Sequence, residues 1–356
     1  RNLCLKNRQP KSLKGICAMT TIHDVAKRAA VSTATVSHVI NKTRKVNLET
    51  IARVEQAIRD LQYQPNEQAR GLKTGQSHMI GVFNYYSVDD YFSEVLCSLE
   101  TEASNAGYNV LLRHTEPVTK DQSFAIQNWI NQNLDGFIFN SPLITDEFQK
   151  QIDKLNCPCV LLHVKKPDCK CDVIRVNDEQ ISQVAVEYLI ELGHQRIACI
   201  SGITYEHHTA SERKIGYEEA LRSAGFQIRD EYFKETDYNI HEGYDAFMEL
   251  MKLPDKPTAI FTYSDQLALG ALRAASDLRL SVPKDVSIIG FDDVKMASFS
   301  SPRLTTIFQD KELMGKLAIR QILKHIQNPD LPNETIEIPT RLMIRESTGP
   351  APLETN

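Results

Sequence analysis

No stretch of this 356-residue sequence approaches the ~20 consecutive apolar residues that span a bilayer, and none has the apolar core of a secretory signal. A membrane or exported protein is therefore not expected, and the chain reads as cytoplasmic. Also absent are the phosphate-cradling G-x-x-x-x-G-K-[ST] loop, the nucleophile elbow G-x-S-x-G, the zinc-binding helix H-E-x-x-H and the glycine spacing of a dinucleotide site. No enzyme, no catalytic residue and no cofactor is expected. The eight cysteines are mostly single and in apolar contexts, as at Cys97 and Cys199. In a reducing compartment such residues stay thiols, which argues against structural disulfides. Cys157-Pro-Cys159 and Cys169-Lys-Cys171 have the composition of a zinc site, but Cys159 opens a strand-like run whose alternating faces do not suit one, and no metal is expected. The end of the chain, ESTGPAPLETN after Arg345, lacks leucine heptads, so a tetramer built on a C-terminal coiled coil is not expected.

The length exceeds what one hydrophobic core usually fills, so two or three domains are expected. Charge divides them. Residues 19–75 carry 9 basic and 5 acidic side chains, whereas residues 76–356 carry 27 basic and 41 acidic. A basic head suits a polyanion that the acidic body would repel, which confines nucleic-acid contact to the N-terminal end. Chance unevenness of a solvated surface is the plainer alternative. Residues 1–18 hold five basic residues and no acidic ones, with little periodicity, and are expected to be a disordered leader; Met19 directly precedes the first helical pattern.

Three short amphipathic patterns follow within 19–65. The first has Ile22, Val25, Ala26 and Ala29 at helical spacing; Ser32 then offers an N-cap for a second, with Val36, Val39 and Ile40 as its apolar side. The third opens after Asn47 and runs through Ile51, Val54, Ile58 and Leu61 before Pro65. The turn joining the first two is so short that they must cross steeply, as in a helix-turn-helix. The outward side of the second carries Thr33, Ala34, Thr35, Ser37 and His38, short groups that let a helix sit deep in a major groove. An ordinary surface helix rich in β-branched residues has the same composition.

The string DVAKRAAVSTATVSHVINKTR resembles the head of the lactose-repressor (LacI/GalR) family of transcriptional regulators, most of all the purine and ribose repressors. The resemblance implies double-stranded palindromic operator DNA as partner, read by Thr33, Ala34, Thr35, Ser37 and His38, with Arg44 reaching a base just beyond the helix. It also makes residues 66–75 a hinge helix that forms on DNA, with Leu72 wedged into the minor groove and Lys73 beside it. Where the purine repressor has threonine, this chain has Ala34, and one hydrogen bond is expected to be lost.

After Ser77 short β-rich runs alternate with helical stretches: Met79 to Phe83, Asn109 to Leu112, Gly136 to Phe139 and Val160 to Leu162, then Arg196 to Ile200, Ala259 to Thr262 and Ser287 to Phe291. Continuous apolar runs mark strands buried on both faces of a parallel sheet. The expected fold is thus an all-α helix-turn-helix head and hinge helix followed by an α/β body of two lobes over 76–347, with 348–356 a flexible tail. The segments TASERKIGYEEAL, SDQLALGALRA, DVSIIGFDD and LTTIFQD extend the resemblance through the body, whose implied arrangement is that of periplasmic sugar-binding proteins, with the chain crossing between lobes near Gln309 and Arg341.

Two facing lobes create a cleft beyond their strand ends. Arg213, near a helix start, offers paired donors to ligand oxygens, though a surface pairing with Glu212 or Glu218 is the alternative. Asp292 follows a strand, where its carboxylate can accept two sugar hydroxyls, or simply form a turn. Tyr91 and Phe92 follow the first strand and can stack on a ligand or belong to the core of the next helix. Thr209, Tyr238, Ser264, Asp265 and Gln309 are further candidates. The purine repressor's stacking tryptophan is Val164 here, after His163, and its ligand-binding arginine is His207, so a sugar or sugar phosphate is favoured over a purine. A homodimer is expected because one head makes too few base contacts. A periplasmic sugar carrier would need a signal peptide and would lack the head; a regulator answering to a partner protein remains the other alternative.

Overall fold

Each helix of the head begins where a short polar side chain can take up an otherwise unpaired backbone N–H. In the computed structural model, which describes residues 20–63, 76–84, 89–114, 134–140, 145–165, 170–202 and 208–353, the chain divides into two units at Gly75/Gln76. The first unit contains α1 (Ile22–Ala29), α2 (Thr33–Asn41) and α3 (Leu48–Asp60). Thr21 and Asp24 form a reciprocal capping box on α1, Ser32 caps α2 through the Thr35 N–H, and Asn47 caps α3 through the Thr50 N–H. Val25, Ala26, Ala29, Val36, Val54 and Ala57 are the shared core. α3 stops well before Pro65, because Gln62 turns left-handed at φ 47°. The 66–75 hinge, Leu72 and Lys73 included, and the 1–18 leader lie outside the described residues.

In the second unit the chain alternates strand and helix. One sheet is built from β1 (Met79–Asn84), β2 (Asn109–His114), β3 (Gly136–Asn140), β4 (Cys159–Leu162) and β5 (Asp172–Arg175), with α4 (Asp90–Asn105) and α5 (Asp146–Ile152). The other follows α6 (Asp178–Glu191) and contains β6 (Ile197–Gly202), β7 (Phe233–Thr236), β8 (Ala259–Thr262), β9 (Ser287–Asp292) and β10 (Thr305–Gln309). Its connections are α7 (His208–Ser223), α8 (Ile240–Leu250), α9 (Asp265–Asp277) and α10 (Lys295–Phe299). The chain then returns through α11 (Lys311–Gln327) and ends with β11 (Thr335–Glu337) and β12 (Thr340–Met343). The sheets run β11-β5-β4-β3-β1-β2 and β12-β10-β9-β8-β6-β7, so each parallel set repeats one doubly wound order. β11 is a parallel edge and β12 an antiparallel one. Among the described residues the chain therefore crosses between lobes three times, at Val176-Asn177, at Asp310 and at Ile338-Pro339.

Two expectations are corrected. Cys159 and Cys171 form a disulfide across β4 and β5. The parallel register opposes Val160 to Asp172, which sets the preceding pair of residues side by side, with Cα atoms 4.9 Å apart. The tail is bonded to the second lobe as far as Ala351: Thr348 bonds Thr305, Gly349 bonds Ser287 and His194, and the Ala351 N–H reaches Leu192 O. Small and prolyl residues made the segment look structureless, but their backbone is bonded along the second lobe.

Candidate functional site

On the head, α2 presents Thr33, Ala34, Ser37 and His38 at positions that helical spacing places on neighbouring faces. Ala34 and Arg44 are exposed, as are Lys42 and Lys45, two cations that the sequence reading passed over. Local bonds aim several of these groups. His38 Nδ1 shares a hydrogen bond with Thr43 Oγ1 at 2.8 Å, Asn41 Nδ2 donates to Ser37 O and Oγ, and the hydroxyls of Ser32 and Thr35 lie 2.9 Å apart. The result is a convex face of small polar groups followed by a basic turn.

In the body, strands of both lobes bring polar side chains together beyond their carboxyl ends. Tyr91, in the first turn of α4, meets His163, which follows β4, at 2.9 Å, and its hydroxyl donates to Gln309 Oε1 at 3.4 Å. Gln309, at the end of β10, donates through Nε2 to Asp292 Oδ1 at 2.8 Å. Arg213 lies across the ring of Phe291, 3.5 Å from its centroid, donates from Nε to Asp178 Oδ1 at 2.7 Å, and from Nη1 to the carbonyl of Tyr263. Tyr238 lies within the influence of Arg213 and Asp292, with Thr209 beside its hydroxyl. Lys311, at the second crossing, donates to Asp292 O and Asp293 O at 2.6 and 3.0 Å.

Backbone strain gathers at the same place. His163, Tyr238, Asp292 and Asp293 all have positive φ, at 59°, 63°, 114° and 51°, a region costly for residues with a Cβ. Gly202 lets the Tyr238 ring approach, since a Cβ there would lie 1.7 Å from it. Burial disfavours charge on most groups of the cluster. It lowers the His163 imidazole to about 3, lifts Tyr238 to about 12, and pushes Asp292 well above the ordinary carboxylate range against the pull of Arg213. Burial opposes charge on Arg213 as well, but there the neighbouring carboxyls prevail, Asp178 foremost, and hold it as its cation.

Tyr91, Thr209, Arg213, Tyr238, Asp292 and Gln309 are thus brought together. Phe92 is not; its ring packs in the first lobe's core with Val95 and Leu99. Ser264 caps α9 through the Leu267 N–H. Asp265 accepts from Thr306 Oγ1 and Val294 N at 2.6 and 2.8 Å, fully buried behind the Asp292 loop. Val164 is buried in the apolar core on the first lobe's other side, while His207 lies outside the described residues. His163, Asp178 and Lys311 complete the cluster without having been singled out for it. Only the placement of His163 just after the run Val160 to Leu162 hinted at one of them; Asp178 follows β5, which the sequence did not reveal.

Residues 21–66 match the family model described as bacterial regulatory proteins, lacI family, and residues 186–348 match a periplasmic binding protein-like domain. The ribose operon repressor of Escherichia coli (strain K12) is 36% identical over 333 residues, which cover 92% of this chain and 100% of that one. The HTH-type transcriptional repressor PurR of Vibrio vulnificus (strain CMCP6) is 34% identical over 330 residues, 92% of this chain and 98% of that one. Among solved structures, a lac repressor dimer bound to operator and the anti-inducer ONPF aligns with a TM-score of 0.84 and 30% identity, over 93% of this chain and 99% of that one.

Proposed function

This chain belongs to the lacI family of bacterial regulatory proteins and is a DNA-binding transcription regulator, and we propose that it is a cytoplasmic, dimeric repressor whose operator binding is set by a sugar held in the cleft of its body. The observation that carries the effector reading is the meeting of Arg213, Asp292, Gln309, Tyr91 and Tyr238 at facing strand ends of two lobes. A carboxyl and a carboxamide oxygen accept from adjacent hydroxyls, and a guanidinium, with five donors of which two are engaged by Asp178 and Tyr263, donates to ring or hydroxyl oxygens.

Charge narrows the class. Asp178 already balances Arg213, and the ammonium of Lys311 is engaged by Asp292 O and Asp293 O with Glu94 3.9 Å away, so a phosphate would find no cation without a partner and an unphosphorylated sugar fits better. Val164, buried in the core, supplies no flat surface for a purine. On the head, Thr33, Ala34, Thr35, Ser37, His38 and Arg44 are the base-facing groups, and Lys42 and Lys45 suit phosphate. Two heads related by a twofold axis read a palindrome, in keeping with the relative solved as a dimer on its operator.

The test is an operator selected in vitro from random duplexes, then gel-shifted with and without a panel of pentoses, hexoses and their phosphates. Release by an unphosphorylated sugar is expected. Tightening by a purine base, or indifference to every sugar, would refute the effector assignment and leave the DNA-binding one standing.

A further inference from the structure

The first crossing between the lobes is two residues long, and each of its flanks carries a charge. Arg175 ends β5 in the first lobe, and Asp178 begins α6 in the second. Both charges are met on one helix of the second lobe by consecutive residues of opposite sign. Arg175 Nη2 donates to both carboxylate oxygens of Glu212 at 3.0 and 2.9 Å, and Asp178 accepts from Arg213 at 2.7 Å. All four side chains are nearly inaccessible, at 9%, 8%, 1% and 7%. The exposed Lys165, on the loop that also bears His163, adds a contact to Glu212 at 3.2 Å.

The third crossing is tied to the first. The Ile338 N–H donates to Arg175 O at 2.8 Å, and Glu337 lies 3.9 Å from the guanidinium. Arg175 thus joins two crossings to α7.

We propose that Arg175–Glu212 and Asp178–Arg213 form a paired latch between the lobes, through which a ligand on Arg213 sets lobe orientation. The inference rests on the cleft being the effector site. Arg175–Glu212 spans the lobes, whereas Asp178–Arg213 lies within the second and includes a ligand-facing group. Ligand oxygens that draw the guanidinium of Arg213 away from Asp178 shift the second turn of α7 against the crossing. Glu212, its immediate neighbour, shifts with it and loosens its grip on Arg175. Buried ion pairs suit such a switch because desolvation nearly cancels their attraction. Latched and open arrangements then lie close in energy, and a ligand needs only a modest difference in affinity to choose between them. The pairs hold geometry more than stability, and Arg175 and Glu212 are positioning residues.

The decisive measurement is made on the full chain without ligand, and so is independent of which effector the cleft takes. Amide hydrogen exchange is followed in residues 174–180, in α7 and at Ile338, with β3 and β8 as internal references. In Glu212→Gln, which keeps size and one acceptor, exchange at the crossing and at Ile338 is expected to rise roughly tenfold while the reference strands stay within about twofold. Combining Arg175→Glu with Glu212→Arg is expected to return exchange towards the starting level. Uniform acceleration across the body marks a plain stability contribution and overturns the latch, and so does no acceleration at the crossing. In a second arm, a sugar from the panel that binds is expected to raise exchange at the crossing in the unmodified chain and to add little in Glu212→Gln. Binding with the crossing unaffected overturns the read-out. If no sugar binds, the effector reading falls while the ligand-free result still decides the latch.

Discussion

Asp265 and Asp292 share one buried neighbourhood and do different things. Asp292 faces the cluster on Arg213 and Gln309, while Asp265 holds the backbone of the loop behind it and is lifted from the ordinary 3.8 to about 7, chiefly by burial. Below about pH 4 the folded and unfolded chains both carry the Asp265 proton, and the residue contributes no pH dependence. From about pH 4 to about 7 the folded chain keeps a proton that the unfolded chain has lost, so the raised value lowers stability as pH rises. Asp265→Asn removes that cost while its amide still accepts from Val294 and can donate to Thr306. Denaturant unfolding at pH 5 and pH 8 is expected to show the variant gaining about 2 kcal/mol on the parent between the two. A constant difference would mean that Asp265 titrates normally.

The distinction between the two aspartates was not legible in sequence, because it depends on Thr306, a residue 41 positions away on the adjoining strand. The proposed DNA-facing residues rest on local spacing alone, since a helix presents its own neighbours to one surface. His38→Ala and Arg44→Ala are each expected to cost about 1–3 kcal/mol on the selected operator and less on random duplex. Equal losses on both would reduce them to phosphate contacts.

Elements in this body approach closely where a Cβ is missing. α8 and α9 cross at Gly243 and Gly270: a Cβ on Gly243 would lie 2.4 Å from Leu267 O, and one on Gly270 2.1 Å from Ile240 O. Alanine favours a helix by about 1 kcal/mol over glycine, but here it must push two backbones apart. Gly270→Ala is therefore expected to lower the stability of the second lobe by about 1–3 kcal/mol in urea unfolding, and a stabilised variant would show that the crossing yields easily. Apolar runs made the central strands visible, whereas β5 and β7 were missed, each only four residues long and bearing Arg175 or Lys234 and Glu235. The Cys159–Cys171 pairing went unseen for the same reason, because it follows from a register that required β5 to be recognised.

At the scale of the whole molecule, the repeated strand order and the three crossings give the effector a means of acting on DNA it does not touch. A ligand contacting Tyr91 on the first lobe and Arg213 and Asp292 on the second favours one orientation of the lobes, and whatever that orientation does to operator affinity, the operator must do to ligand affinity by the same factor. For a coupling of 1–3 kcal/mol that factor is roughly 5–150. Where the operator-binding state is the ligand-free one held by Arg175–Glu212, a sugar that draws on Arg213 leaves that state, so induction is expected. Asp292→Ala should then repress a reporter as fully as the parent but fail to respond to the sugar that releases the parent, whereas Arg213→Ala, which removes half of the latch, should repress less. Arg213→Ala strands the buried carboxylate of Asp178, which threatens folding, whereas Asp292→Ala leaves Gln309 with Tyr91 as partner and gives the cleaner test. If Asp292→Ala loses repression in the absence of any sugar while its unfolding midpoint is unchanged, the bound ligand is a co-repressor and the direction of coupling is the reverse.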